Sequence, residues 1–584
     1  MFKGFMFFFK QGLKYDKRYI LWLILLQLVT AVTPIAAALL PKLVIDELAG
    51  ARRIGYLSAC VGAFAGWMLL NETLTSFFMR DGFTRRCRVN AAFDTELHAR
   101  LARADYADLE SPAFKDRQAK AEKFLTCDYH GFGYLLDCGV NVLGQLTTIA
   151  GLLVMLSALE LWLVATFAAL AVIGSVLESK AMRKAMRLSM EVVKQSRLWT
   201  YYSELFEQSD YGKEIRLNGM ANWLLGRERE AMSMANANIK RQNDCYIVSG
   251  AQRAVITFVQ QCAAYGALIW KVLAGSLGIG SFAMCVSATG SLAFAVRKLM
   301  DSLTEIRAYD LYYEQLDEYL STPQTLRAGR RHIAAGRYRI EFIDVGYRYA
   351  GAENWALRHI NLALEPGQRL ALVGENGSGK STLIKLLCRL YAPSEGVIRL
   401  DGVDIAEYDY DEYVELFAAV FQDYRLFECS VRDNILLGRD VDASELDAIV
   451  AQVGLAQRIT LLPHGLDTAV GRRFDEDGFE PSGGEAQKIV LARALCRDAQ
   501  VIVLDEPTAA MDPRAEYELY RDFDALVGDK TAVYISHRLS ACRFCDCIAV
   551  LDGGRLSEYG THAELMAGNN KYAELYALQA QYYV

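Results

Sequence analysis

The chain has 584 residues, too many for one hydrophobic core, and 53% of them are hydrophobic with a mean hydropathy of +0.11. Much of that apolar surface must face something other than a globular interior. Lys and Arg total 63 against 70 Asp and Glu, a formal charge of −7 that leaves no basic excess for a nucleic-acid backbone and excludes nucleic acid as a partner.

The N-terminus carries Lys3, Lys10, Lys14, Lys17 and Arg18 before the apolar run Tyr19 to Leu40. That run is too long for a signal-peptide core and reads as a retained membrane helix, since about 20 helical residues cross a bilayer. Further spans are predicted at Tyr56 to Met79, Tyr134 to Leu159, Leu161 to Leu177, Ile247 to Leu273 and Ser281 to Met300, giving six. No peptidase-like domain precedes the first, so a leader-cleaving device is not expected. Lys and Arg crowd the connections between the second and third spans and between the fourth and fifth, which places both connections and both termini in the cytoplasm. Lys42, Arg52 and Arg53 in the first outer loop run against that rule. The two connections are rich in helix formers and nearly free of proline, so each is expected to go out and return as an antiparallel helical pair. Their tips fall near Tyr106 to Pro112 and Asp210 to Ile215, and aromatic and turn residues there suit docking on a cytosolic domain.

Polar residues interrupt the spans: Asn71, Glu72, Asp137, Asn141, Gln145, Arg253, Gln260 and Gln261. Ionisable groups at membrane depth usually face the bundle interior or a wet cavity. Glu72 and Asp137 therefore read either as lining of a substrate cavity or as bonds between helices. Acidic lining leans towards a cationic or amphipathic cargo.

The membrane domain is placed at 1–307, with a charged, helical linker at 308–335 and a C-terminal domain at 336–584. In the last, Ile340 to Val345 and Ala356 to Leu364 read as strands, and the purely apolar runs Val501 to Leu504 and Ala532 to Ile535 read as parallel strands covered on both faces. The strand Arg369 to Val373 leads into Gly374-Glu375-Asn376-Gly377-Ser378-Gly379-Lys380-Ser381-Thr382 and then into a helix. Glycines there let successive N–H groups curl around a polyphosphate, with Lys380 on the β- and γ-phosphates and the Ser381 hydroxyl on Mg²⁺. The fold class is an α-helical bundle of six transmembrane helices followed by an α/β P-loop domain.

The thirteen cysteines lack framework spacing and read as reduced thiols facing a cytosol. Cys542, Cys545 and Cys547 cluster without a fourth nearby ligand, and so read as thiols at a strand edge rather than a zinc site.

With these motifs in order, residues 336–584 resemble the nucleotide-binding domain of an ABC transporter, and the whole chain resembles a type IV exporter half-transporter. The resemblance implies that Tyr349 stacks on adenine and that Gln422, in Val420-Phe421-Gln422-Asp423, touches Mg²⁺. Ser482-Gly483-Gly484-Glu485 resembles the family's signature LSGGQ, which contacts the nucleotide of the opposite subunit; Pro481 and Glu485 depart from its commonest form. Asp505 and Glu506 are similar to a Walker B pair, one holding Mg²⁺ through water and the other orienting or deprotonating the attacking water. Asp512 falls in the D-loop, and His537 matches the switch histidine on the γ-phosphate. The implied activity is ATP hydrolysis driving export of an amphipathic substrate, peptide or lipid across a bacterial plasma membrane. The implied partners are the lipid bilayer and a second half-transporter, in a homodimer or in a heterodimer with non-equivalent ATP sites. An ATP-gated channel or regulatory membrane ATPase is the alternative.

Overall fold

The computed structural model describes residues 3–126, 131–156, 169, 173–174, 176–177, 180–181, 183–185, 187–188, 193–505, 527–535, 542–543 and 545–580. It divides into two compact units: Met1–Ala104 with Pro112–Thr322, and Asp105–Ser111 with Pro323–Val584.

The first unit is helical: α1 (Lys3–Tyr15), α2 (Lys17–Ala49), α3 (Ile54–Ala102), α5 (Pro112–Thr126), α6 (Gly131–Leu156), α7 (Val193–Glu207), α8 (Gly212–Leu217), α9 (Ala221–Leu273) and α10 (Ile279–Leu320), while the short α4 (Tyr106–Glu110) belongs to the second unit. α2 starts where the Asp16 carboxylate accepts hydrogen bonds from the backbone N–H groups of Arg18 and Tyr19, a side-chain cap. Among the described residues, five helices are long and apolar enough to cross a membrane: α2, α3, α9, the Gly133–Leu156 part of α6 and the Ile279–Arg307 part of α10. The expected fourth span, Leu161 to Leu177, lies mostly outside the described residues. Large apolar side chains such as Leu69, Val154, Phe258 and Trp270 stand exposed on these helices, the pattern of lipid-facing surface.

The spans do not end where hydropathy does. α3 has 49 residues, roughly 74 Å at 1.5 Å per residue, and continues the span Tyr56 to Met79 without a break through the basic residues that follow. Likewise α9 has 53 residues, and α10 runs on to Leu320, so the first residues of the expected linker are helical.

Inside this unit, Ala38, Leu152, Leu268, Cys285, Ala288 and Leu292 form a core whose small members let helices approach closely. At Gly144 of α6 a Cβ would lie 2.7 Å from Gln27 Oε1 and 3.3 Å from the Gln27 carbonyl oxygen of α2, so the glycine lets the two helices approach closely. Polar residues tie the helices together. Tyr19 donates its hydroxyl to Asp137 at 3.0 Å, Arg86 pairs with Asp137 at 3.6 Å, and Asn141 donates to Ser302 at 3.0 Å.

The second unit contains two sheets built from β1 (Ile340–Tyr347), β2 (Leu357–Leu364), β3 (Arg369–Val373), β4 (Glu395–Leu400), β5 (Val403–Asp404), β6 (Phe417–Val420), β7 (Val501–Asp505), β8 (Thr531–Ile535), β9 (Cys547–Asp552) and β10 (Arg555–Gly560). One is antiparallel with order β2-β1-β4-β5; the other has order β10-β9-β3-β8-β7-β6 and is parallel except for β10. Every residue of β7 and β8 is buried, and their side chains alternate between two cores. Val501, Val503, Val533 and Ile535 join the core beneath the phosphate-loop helix, whereas Ile502, Leu504, Ala532 and Tyr534 join the one containing Ile489 and Val490. Burial on both faces is why these strands read as unbroken apolar runs. Cys542 is buried and Cys545 and Cys547 half-buried, and no grouping of His, Cys, Asp or Glu suited to a metal occurs among the described residues.

Asp105–Ser111, the tip joining α3 to α5 in sequence, packs within this second unit. Asp105 Oδ2 accepts from the backbone N–H and hydroxyl of Thr325 at 2.8 and 2.6 Å. Tyr391 donates its hydroxyl to Glu110 Oε2 at 2.5 Å, and Lys385 lies 3.8 Å from the other oxygen.

Candidate functional site

The site lies at the C-terminal edge of the parallel sheet, where open α/β folds bind ligands. Register brings the strand ends together: Leu372 opposes Ile535, Ile535 opposes Asp505, and Leu504 opposes Val420. The phosphate loop and the loop with Gln422 follow directly on two of those ends; in sequence Glu506 comes next after Asp505, and His537 comes shortly after Ile535. Asp505 is buried and Gln422 exposed; Glu506, Asp512 and His537 lie outside the described residues.

The loop Gly374–Gly379 joins β3 to the helix Lys380–Leu387. Gly379 has φ +104°, and a Cβ there would sit 2.9 Å from the Ala356 carbonyl, so only glycine keeps the amides turned inward. Lys380 is buried, its ammonium donating to the Gly374 and Glu375 carbonyls at 2.8 and 2.9 Å, which holds a positive charge across the mouth of the loop. The Ser378 hydroxyl is buried without a hydrogen-bond partner, a costly state that an oxygen-rich anion in the loop would relieve. Glu375 pairs with Lys571 at 2.7 Å, and the hydrogen bond and charge of that ammonium hold its carboxyl below the usual range; Asn376 and Ser381 are exposed at the rim. The residues present thus fit a nucleotide triphosphate.

Tyr349, about a third exposed, points its hydroxyl at Thr382 Oγ1, 3.0 Å away. Behind it Tyr347 stacks on Tyr391 at 4.9 Å, and Tyr391 meets Tyr349 edge-on at 5.7 Å. The aromatic proposed for adenine therefore rests on the residue that binds Glu110 of the tip. Sequence reasoning placed the tip but missed Tyr391 and Lys385, whose partner is 281 residues from Tyr391.

Ser482 caps the helix Gly483–Leu495 in a reciprocal box: its hydroxyl accepts from the Glu485 N–H, while Glu485 Oε2 accepts from the Ser482 N–H and hydroxyl, both at 2.8 Å. Burial raises the Glu485 carboxyl, but the Ser482 hydrogen bonds and the Arg458 charge outweigh it and hold it below the usual range. Gly484 faces open space. The helix is anchored in the Ile489–Val490 core, a different core from that under the phosphate loop.

In the first unit, Asp137 lines a cavity of about 650 Å³ together with Arg86, Arg253, Lys298, Asp301 and Glu305. Gln27 lines both it and a second cavity of about 400 Å³ whose polar lining is uncharged, including Thr30, Gln145 and Ser291. Glu72 is exposed on α3 and lines neither.

Comparison with known proteins bears on the family. The family model described as "ABC transporter" matches residues 357–509. An ATP-dependent lipid A-core flippase of Alkalilimnicola ehrlichii is 33% identical over 445 residues, 74% of this chain and 73% of that protein. The subtilin transport ATP-binding protein SpaT of Bacillus subtilis is 33% identical over 385 residues, 64% of this chain and 61% of that one, and the aligned part spans about half of a Coxiella burnetii lipid A-core flippase (51%). A solved bacterial Atm1-family ABC exporter with ATP bound has the same fold, with a TM-score of 0.81 at 24% identity over 97% of this chain and 98% of that one.

Proposed function

This chain belongs to the ABC transporter family, and from that premise we propose that it is a half-transporter which hydrolyses ATP to export a lipid or amphipathic peptide across a bacterial plasma membrane. One observation supports the reading: the phosphate loop and the signature helix pack on opposite faces of one sheet, as two separate elements that a second copy can bring together. Two copies closing head to tail place Ser482, Gly483, Gly484 and Glu485 of each against the triphosphate in the other's loop. Within a clasp, Tyr349 supports the base and Gly374 to Thr382 wrap the phosphates. Ser381, Gln422 and Asp505 would hold Mg²⁺, which would screen the phosphate charge. Glu506 orients and deprotonates the attacking water, His537 contacts the γ-phosphate, and Asp512 lies in the loop facing the partner. A homodimer supplies every one of these groups. A heterodimer with non-equivalent sites is the second reading, favoured by the departures at Pro481 and Glu485 in the signature.

The bundle of 1–307 forms the pathway, 308–335 the linker and 336–584 the ATP-binding domain, with both termini cytoplasmic. Related proteins are named for lipid A-core flipping and for subtilin transport, which supports an amphipathic cargo. Asp137 faces its polar head in the charged cavity, whereas Glu72, exposed on α3, lies off that cavity. Differential ATP affinity for open and closed forms supplies the coupling. Closure is passed to the membrane helices through Asp105–Ser111, covalently continuous with α3 and α5.

Two measurements test this. ATP-dependent accumulation of a labelled lipid or amphipathic peptide in inside-out vesicles supports export, whereas ATPase without accumulation of any cargo favours a channel or regulatory ATPase. Glu110→Gln weakens one charge-assisted hydrogen bond and removes one ion pair at the tip, so cargo stimulation of ATPase should fall by roughly fivefold or more. Unchanged stimulation would show that the tip does not carry the signal.

A further inference from the structure

The family's signature ends most often in glutamine, whereas this chain has Glu485, and the structure gives that carboxylate two kinds of partner. Oε2 accepts hydrogen bonds from the N–H and hydroxyl of Ser482 at 2.8 Å each, while Oε1 has an ion-pair partner. Oε1 lies 2.8 Å from Nε of Arg458, a residue of the short helix Ala456–Thr460 whose guanidinium also sits 5.3 Å from the centre of the Phe479 ring. Neither side chain is fully exposed, so the pair is only partly screened by water.

A carboxylate in this place is favourable at a helix N-terminus and unfavourable in a clasp. In the capping box it satisfies the first turn and complements the helix dipole. When a triphosphate arrives from the partner subunit, the same carboxylate competes for the Ser482 hydroxyl and repels the incoming negative charge. A glutamine would still cap and would not repel. Only a fixed counter-charge makes glutamate tolerable, and Arg458 is the cation placed against its other oxygen.

We infer that Arg458 is a positioning residue of the nucleotide clasp: paired with Glu485, it neutralises the acidic signature helix so that the helix can close on the partner subunit's triphosphate. The inference rests on the head-to-tail reading above. It makes ATP-driven closure in this chain depend on an ion pair outside the nucleotide's own contacts. A merely structural Arg458, packed on Phe479, would stabilise the domain without regard to the charge at 485.

A double-mutant cycle on the full-length dimer in lipid nanodiscs separates the two. Arg458→Met keeps the apolar stem over Phe479 and removes the charge, and should raise KM for ATP by about tenfold with a smaller effect on kcat. Glu485→Gln should lower KM several-fold, and in that background Arg458→Met should shift KM by less than about twofold. Arg458→Lys, which keeps the charge, should recover at least half of the loss. An equal rise in KM in both backgrounds, or no rise in the wild-type background, overturns the inference, and Arg458→Lys decides the matter should the Met variant fail to fold. ATP-dependent disulfide crosslinking between cysteines at Ser378 of one copy and Ser482 of the other, with Arg458 and Glu485 intact, reports on the clasp itself. Its absence defeats the head-to-tail reading and this inference together, whereas crosslinking with no coupling in the cycle defeats this inference alone.

Discussion

Lys380→Ala is expected to lower ATP turnover by roughly a thousandfold, the scale on which preorganised charge stabilisation of a transferring phosphoryl group operates. Lys380 is buried, and its ammonium bridges two carbonyls of the loop it serves. A charge held this way costs no reorganisation when negative charge moves along the β–γ bridge. Removing it also frees the Gly374 and Glu375 carbonyls inside the loop, so both affinity and turnover should fall. Lys380→Arg should not rescue activity, since the planar guanidinium cannot occupy the narrow path of an ammonium. Purified Lys380→Ala protein with near-normal ATPase would refute the assignment of the phosphate site.

Glu506→Gln should act differently: ATP binds normally while hydrolysis slows by about a hundredfold to ten-thousandfold, the range for loss of a positioned general base. In sequence it directly follows Asp505, the buried last residue of β7. The amide keeps the shape and can still hold water, but it cannot accept the proton. Nucleotide should therefore accumulate in a closed dimer, measurable as one trapped ATP per clasp after rapid gel filtration. Wild-type turnover in this variant would mean that another group activates the water.

The nucleotide half of the molecule was readable because its chemistry is local. The run Gly374 to Thr382 carries strand end, glycine turn and helix start within nine residues, and the structure places them as β3, loop and helix. Hydropathy likewise marked spans, since apolar length alone decides membrane crossing. What it missed was continuity. Past Met79 the residues turn basic while helix propensity persists, so α3 runs on to Ala102, and α10 similarly passes Met300 to reach Leu320. Pairings between distant segments were also out of reach. Nothing in the sequence around Tyr391 announces Glu110, and Arg458 looks like one arginine among many until the fold sets it against Glu485. Asp137 shows a third limit: a carboxylate in a span reads either as lining of a substrate cavity or as a bond between helices, and the structure has it bordering a cavity while it accepts the Tyr19 hydroxyl, so the two readings do not exclude each other.

The most direct test of the account is the formation, in otherwise wild-type membranes, of a disulfide between Ser378→Cys in one chain and Ser482→Cys in another. A clasp shared between two copies predicts that the bond forms with ATP and Mg²⁺ and not without nucleotide. A chain that remains monomeric with ATP and Mg²⁺, forms no such bond and still hydrolyses ATP at full rate would contradict it.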